Sequence, residues 1–291
     1  MTRTAPRTDW LPRLVVAPSF IVSLLFIYGL MAWNGYLSLS ASRILPNYEF
    51  VGVAQYLALW ESDRFRVAMT NMGIFGVLFV GGAMLLGVLL AILLDQKVRA
   101  EGVLRTIYLY PMAISMIVTG TAWKWMLNPG LGLEHLMHQW GFTAFHFDWL
   151  VRQDTAIYCI VIAGVWQSAG FVMALFLAGL RGIDDAIIKA AQVDGASLPR
   201  IYWRIILPSL RPVFFSTLMV VAHLAIKSFD LVMALTAGGP GYATDLPATF
   251  MYATAFTRGQ IGQGAASATV MLATVAAIVV PYLYSELRSR R

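Results

Sequence analysis

Long uninterrupted apolar stretches dominate the pattern of this chain of 291 residues. A helix needs about 20 apolar residues to cross the ~30 Å hydrocarbon core of a membrane. Six stretches of that length predict six transmembrane helices, at residues 14–39, 72–94, 107–127, 156–180, 213–236 and 261–284. The pattern therefore predicts an all-α, polytopic membrane protein. One transmembrane domain, residues 14–284, would lie between two short tails, residues 1–13 and 285–291.

The first apolar stretch has a second interpretation, because a basic leader precedes it. Arg3, Arg7 and Arg13 fit the start of a signal peptide. The apolar run is too long for the core of a signal peptide, however, and no small-residue cleavage pattern follows it. We therefore expect a retained first helix, with a cleaved leader as the alternative.

Composition supports the membrane class and removes several others. Hydrophobic residues make up 59% of the chain and charged residues only 12%, with a mean hydropathy of +0.70. A soluble domain is about half apolar and about a quarter charged. The only cysteine, Cys159, excludes an internal disulfide and a Cys-rich metal site. The four histidines form no recognisable motif, so no metal site is expected.

The positions of the basic residues predict the topology. The two tails and the second and fourth loops carry 14 lysines and arginines, whereas the first, third and fifth loops carry five. Cytoplasmic loops are enriched in Lys and Arg, so both termini are expected in the cytoplasm. This distribution also explains the net charge of +6 without a nucleic-acid partner.

Motifs for catalysis are absent from the sequence. It contains no G-x-x-x-x-G-K-[ST] phosphate loop, no H-E-x-x-H and no G-x-S-x-G. We therefore expect no catalytic residue and no enzymatic activity in this chain. If the protein moves a solute against a gradient, the energy must come from elsewhere.

The loop between the fourth and fifth predicted helices, residues 181–212, is called the coupling loop below. Residues 187–193 predict a short amphipathic helix, and Gly195 predicts a sharp turn after it. Residues 202–207 predict a second interfacial helix, which ends at Pro208. Composition alone suits a pair of membrane-surface helices equally well.

The spacing within this loop resembles the cytoplasmic "EAA" loop of ABC importer permeases, usually E-A-A-x-x-D-G-A, five residues, then F-x-x-I-x-L-P. Tyr202 stands where Phe is usual, and Lys189 where Glu is usual. The resemblance implies a coupling helix that docks on a separate ATPase subunit. The implied coupling residues are Lys189, Ala190, Ala191, Asp194, Gly195, Ala196, Leu207 and Pro208. The charge reversal at Lys189 predicts an acidic residue on the cognate ATPase.

Other segments extend the resemblance over nearly the whole chain. Residues 50–56 resemble the family's F-x-G-x-x-N-Y, and residues 104–111 its entry to the third span. Residues 235–240, L-T-A-G-G-P, resemble carbohydrate permeases of the maltose type. Residues 190–212, 242–247 and 281–286 look most like the bacterial glucose/mannose permeases.

The resemblance implies a place in a larger assembly. The implied partners are a second permease subunit, two ATPase subunits that bind ATP and Mg, and an extracytoplasmic sugar-binding protein. This chain would bind no cofactor itself. It would lie in a bacterial inner membrane and form half of a sugar pathway that opens by alternating access.

Polar residues within the fourth and fifth predicted helices are the candidates for that pathway, because polar groups in a membrane usually face a cavity. They are Trp166, Gln167, Ser168, Phe171, His223, Lys227, Ser228 and Asp230. Two alternatives remain open. Ser168 and Gly170 would also suit close helix packing, and Lys227 and Asp230 could form a structural ion pair or snorkel toward the interface.

Glucose or mannose is the expected substrate, with glycerol-3-phosphate or a disaccharide as alternatives. The outer loops hold five basic and eight acidic residues, which disfavours a phosphorylated substrate. A membrane scaffold without transport activity is the alternative from another class. It predicts no ATPase partner and tolerance of substitution at Gly195.

Overall fold

The structure, a computed structural model, describes residues 10–45, 47–96 and 98–289. Most of the predicted N-terminal tail, Lys97 of the second loop and the last two arginines therefore lie outside the described residues. The described residues form helices and loops, with a single isolated β-bridge between Ser40 and Phe50. The predicted all-α class is confirmed.

Fifteen α-helical segments make up the described part of the chain. In order they are α1 Trp10–Ser23, α2 Leu30–Ser38, α3 Ala54–Glu61, α4 Asp63–Asp95, α5 Glu101–Ala113, α6 Met116–Met126, α7 Leu133–Gln139, α8 Ala156–Arg181, α9 Asp185–Val193, α10 Leu198–Ile201, α11 Leu207–Ser209, α12 Arg211–Ile226, α13 Asp230–Leu235, α14 Pro247–Tyr252 and α15 Ile261–Ser289. Turns of π-helix join α1 to α2, α10 to α11, and α14 to the loop before α15.

Four helical stretches are long and apolar enough to cross a membrane unaided. They are Arg13–Ser38, Asp63–Asp95, Ala156–Arg181 and Ile261–Tyr284. These correspond to the first, second, fourth and sixth predicted helices. The second begins nine residues earlier than predicted, because a polar first turn precedes its apolar run.

The third and fifth predicted helices are not continuous. Helices α5 and α6 meet at a bend of 100° around Ile114 and Ser115. The Ser115 hydroxyl accepts the backbone N–H of Ile117 at 3.3 Å, which caps a new helix there. Helix α12 ends at Ile226, and α13 begins only at Asp230. The expectation of unbroken helices over 107–127 and 213–236 is therefore wrong, because apolar content does not report local breaks in the backbone.

Helix α8 lies at the centre of the fold and packs along α4 and α5. A Cβ on Gly87 of α4 would lie 2.5 Å from the Val172 Cβ. A Cβ on Gly170 would lie 1.9 Å from the Tyr108 carbonyl oxygen of α5. Small residues thus let three helices approach closely, as in many membrane proteins. The packing alternative for Gly170 is confirmed.

Loops predicted to lie on the same side of the membrane contact one another. The two sets of loops lie at opposite ends of the helical core. At one end Arg181 pairs with Glu101 at 2.6 Å, and the Tyr202 hydroxyl donates to Asp95 at 3.0 Å. At the other end the Asn71 amide donates to the Ala243 carbonyl at 2.9 Å. The cytoplasmic position of the termini remains a prediction.

Candidate functional site

Helix α9 carries the first half of the predicted coupling residues. The Asp184 carboxylate accepts the Ala186 N–H at 2.8 Å and caps its start. At its end the Gly195 N–H donates to the Gln192 carbonyl, and the Ala196 N–H to the Ala191 carbonyl, both at 3.0 Å. This is a Schellman motif, which places Gly195 in the left-handed region with φ +76°. The sharp turn predicted at Gly195 is present.

The outer face of α9 projects away from the rest of the chain. A Cβ on Gly195 would meet no atom within 4 Å, so glycine is favoured there by its backbone conformation and not by crowding within this chain. The Val193 side chain is 87% exposed and Ile187 is 50% exposed, while Lys189 is exposed without an ion pair in the described chain. Ile187 and Val193 are therefore apolar side chains left uncovered at the surface of α9.

The remaining coupling residues differ in burial, and Ala190 and Asp194 are exposed. Ala191 and Ala196 pack against the hydrophobic core, Leu207 is half-buried, and Pro208 is exposed. Tyr202, which replaces the usual Phe, accepts the Gln96 amide at 2.6 Å in addition to its bond with Asp95. The hydroxyl therefore ties the coupling loop to the end of α4. Sequence reasoning missed Asp95 and Gln96, although the Tyr in place of Phe marked the position.

The candidates on α8 divide between two faces. Gln167 is buried, and its amide donates to the Ile114 carbonyl at 2.8 Å, at the bend between α5 and α6. Its Oε1 atom is buried without a hydrogen-bond partner in the described chain. Ser168 is also buried and Phe171 half-buried. Trp166 instead lines an apolar groove of about 640 Å³, with Trp123 at a ring distance of 5.8 Å.

The candidates on the fifth predicted helix lie around the gap between α12 and α13. His223 and Lys227 are exposed, and Lys227 is the residue that follows α12. Ser228 lies in the gap, and Asp230 begins α13. The expectation that His223, Lys227 and Asp230 share one helical face is wrong, because the helix ends between them. No ion pair joins Lys227 and Asp230 in the described chain, so the structure does not bear out the structural-bridge alternative.

The two breaks are brought together by the helices that follow them. Helices α6 and α13 pack at Gly120, where a Cβ would lie 2.7 Å from the Ala234 Cβ and 3.0 Å from the Leu231 carbonyl oxygen. Broken helices expose backbone groups and polar side chains inside a membrane only where these line a cavity or are buried in protein. The segments that follow the two breaks are thus in direct contact.

Aromatic rings beside the second break were missed by the sequence reasoning. Phe229 lies 5.1 Å from the Tyr252 ring, and Tyr252 lies 5.4 Å from Phe256. Tyr252 and Phe256 are both exposed. Their spacing of four residues was the available signal. The sequence reasoning also missed the grouping of Glu134, His138 and His146 in the loop between α6 and α8.

The loop that resembles the carbohydrate permeases is held by a buried ion pair. Asp245, which is 1% exposed, pairs with Arg64 and accepts the Thr249 hydroxyl at 2.9 Å. Arg64 also lies over the Tyr242 ring at 4.4 Å. One of the eight outer acids is therefore neutralised inside the fold and does not face a substrate.

A family model described as the inner membrane component of binding-protein-dependent transport systems matches residues 83–290. The chain belongs to this family. That stretch contains α5 to α15, and so both helix breaks and the whole coupling loop. The protein is a membrane-embedded permease subunit of an ABC transporter.

Relatives across the whole chain are also transport permeases. A probable ABC transporter permease of Pyrococcus horikoshii is 40% identical over 93% of this chain and 94% of its own length. A xylose/arabinose import permease of Haloferax volcanii is 35% identical, covering 92% of this chain and 85% of the relative. An sn-glycerol-3-phosphate permease of Rhizobium meliloti is 31% identical over 91% and 90%.

The fold is also found in a crystal structure. A bacterial ABC transporter that imports the polysaccharide alginate has a TM-score of 0.82 with this chain, over 97% of it and 96% of the transporter chain, at 22% identity. That likeness concerns the fold alone.

Proposed function

We propose that this permease forms half of the translocation pathway of an ABC importer for carbohydrates. It would pair with a second permease subunit, and two ATPase subunits would supply the energy from ATP. An extracytoplasmic binding protein would deliver the sugar, in keeping with the family name. Both termini would lie in the cytoplasm of a bacterial inner membrane, and the pathway would open to each side in turn.

The exposed end of α9 carries the proposal of an ATPase partner. It combines a Schellman motif at Gly195, open space around that glycine and the uncovered apolar side chains of Ile187 and Val193. A membrane scaffold without an ATPase partner would not need this surface of α9 to stay uncovered. Movement of α9 would reach the membrane helices through the contacts of Ala191 and Ala196 with the core, and through Tyr202 to Asp95 on α4.

The substrate is proposed from the chemistry at the breaks. A neutral sugar needs hydrogen-bond groups that replace water and aromatic rings for its apolar faces. Ser228, Lys227 and Asp230 offer donors and acceptors, and Phe229 and Tyr252 offer rings. The free Oε1 of Gln167 and the adjacent Ser168 add groups on α8. We propose a monosaccharide of the glucose/mannose type.

Glycerol-3-phosphate, a pentose and a disaccharide are the competing substrates, and relatives of this chain are named for the first two kinds of compound. An uptake assay with each labelled compound separates them. Uptake of glucose or mannose, competed by an excess of the unlabelled sugar, supports the proposal. Saturable uptake of glycerol-3-phosphate alone would contradict it.

Substitution of Gly195 tests the ATPase partner. We expect wild-type protein, solubilised gently from native membranes, to co-purify with an ATPase and a second permease. Gly195→Glu should lose the ATPase and keep the permease, because a bulky side chain occupies the docking surface and disfavours φ +76°. Gly195→Asn is the matched control for backbone strain, since Asn tolerates this conformation. An ATPase retained by Gly195→Glu, or absent from wild type, would refute the coupling role.

Lys189 provides a test of charge at the same surface. If the cognate ATPase places an acidic residue opposite Lys189, then Lys189→Glu should lower ATPase recovery in the same capture. The ATPase of an importer whose permease has Glu at this position should then be captured better. An unchanged preference between the two ATPases would show that this charge plays no part in docking.

A further inference from the structure

Three side chains to which the proposed function assigns no role meet in the loop between α6 and α8. Glu134 and His138 lie one turn apart on α7, so they share a face of that helix. His146 comes from the returning chain, and its Nδ1 atom lies 3.1 Å from Glu134 Oε1. One ligand-type atom from each of the three lies within 4.8 Å of the others. We call these three residues the His–Glu cluster.

Hydrogen bonds with the backbone orient two members of the cluster, His138 and Glu134. The Nε2 atom of His138 lies 2.7 Å from the Phe145 carbonyl oxygen, which can only accept a hydrogen bond. The proton of a neutral His138 ring therefore lies on Nε2, and Nδ1 carries the lone pair. The Phe147 N–H donates to Glu134 Oε2 at 3.0 Å. The carboxylate is thereby oriented, with Oε2 held by the backbone of the returning chain and Oε1 facing the His146 ring.

Such outer hydrogen bonds are typical of metal sites. A histidine that binds a metal usually donates its other ring N–H to a carbonyl or carboxylate, which fixes the ring. Glu134 is likewise held from outside the cluster, because its Oε2 atom accepts the Phe147 N–H. The rings of His138 and His146 stand nearly perpendicular, with their centroids 5.8 Å apart.

The distances suit a small tetrahedral cation. Bonds of about 2.0–2.1 Å to nitrogen and oxygen place neighbouring ligand atoms roughly 3.3 Å apart. The 3.1 Å between His146 and Glu134 is already close to that value, and the widest separation needs to shrink by at most about 1.5 Å. The His146 side chain is 74% exposed, which leaves an entry path and room for water as a fourth ligand.

We propose that the His–Glu cluster binds a divalent transition-metal cation of the Zn²⁺ type. Two imidazoles and one carboxylate suit zinc, copper or nickel, whereas Mg²⁺ and Ca²⁺ prefer all-oxygen sites. On binding, the His146 ring proton lies on the exposed Nε2, and its Nδ1 binds the cation. The proposal replaces the expectation, based on the sequence alone, that the chain has no metal site.

The cation would join α7 to the segment that leads into α8. That segment continues in a row of aromatic rings, with Phe147 stacked on Trp149 at 5.1 Å and Trp149 against Tyr158 of α8 at 6.3 Å. Trp149 also lines the apolar groove beside Trp166. The bound cation would therefore brace the loop over one end of the central helix.

Zn²⁺ titration of the full-length chain tests this site. The protein, purified with any co-purifying subunits through a tag without histidine, is stripped with chelator and titrated calorimetrically. We expect about one Zn²⁺ per chain, at least about tenfold weaker binding in His138→Gln and His146→Gln, and no binding of Mg²⁺. His135→Gln is the matched control, because His135 lies on the same helix and pairs only with Gln139 in the described chain.

The Glu134→Gln variant separates loss of Zn²⁺ binding from a folding defect. It keeps the side-chain size and an oxygen for the Phe147 N–H but loses the charge, so it should weaken Zn²⁺ binding with an unchanged elution profile. Equal affinity in wild type and all three ligand variants would overturn the proposal. So would the absence of Zn²⁺ binding to folded wild type. Neither result bears on the transport function, which the ATPase capture tests separately.

Discussion

Gly170→Ala should severely destabilise the protein and abolish transport. The added Cβ would lie 1.9 Å from the Tyr108 carbonyl oxygen and 3.3 Å from the Leu109 Cα, so the backbone of α5 must move. Overpacking a core costs about 1–3 kcal/mol and sometimes more, and a clash with backbone belongs at the upper end. This exceeds the ~1 kcal/mol that Ala gains over Gly in a helix. Thermal unfolding of the purified protein and substrate uptake measure the two effects.

Gly81→Ala is the matched control. Gly81 lies within α4, and a Cβ there would meet no atom within 4 Å. The same substitution should therefore leave stability unchanged or raise it by up to about 1 kcal/mol. Wild-type stability and uptake in Gly170→Ala would show that α5 and α8 are not in close contact. Movement of α5 would also disturb the bond from Gln167 to Ile114, so uptake should fail even where the variant folds.

Arg64→Ala should cost about 3–5 kcal/mol of stability, because it leaves the buried Asp245 carboxylate without its partner. Arg66→Ala is the matched control two residues away. Arg66 pairs with Asp63 in an exposed position, with side-chain exposures of 59% and 92%. Exposed pairs contribute about 0–1 kcal/mol. The midpoint of thermal unfolding should therefore fall far more for Arg64→Ala than for Arg66→Ala.

A double variant separates the charge from the packing. Arg64→Met with Asp245→Asn removes both charges and keeps most of the volume, so it should recover part of the loss. If Arg64→Ala and Arg66→Ala were equally mild, the buried pair would contribute nothing, and another contact would hold the 235–250 loop. If the double variant were less stable than Arg64→Ala, the loss would come from packing and the cation–π contact with Tyr242.

Patterns along the sequence were sufficient to identify the class of the protein and to locate the coupling loop. Hydropathy sums over neighbouring residues, so the runs that form α4, α8 and α15 are visible without the fold. The turn at Gly195 was equally visible, because a Schellman motif forms within one short helix and the residues after it.

The tertiary structure alone decided the features that join distant parts of the chain. The Ile114 carbonyl at the bend accepts a hydrogen bond from the amide of Gln167, 53 residues later. The Asp245 carboxylate pairs with Arg64, 181 residues earlier. Likewise, Trp166 and Gln167 are neighbours in sequence, but Trp166 lines the apolar groove whereas Gln167 contacts the break between α5 and α6. Buried polar groups are stable only with partners, and which residues become partners is set by how the helices pack, not by their order in the sequence.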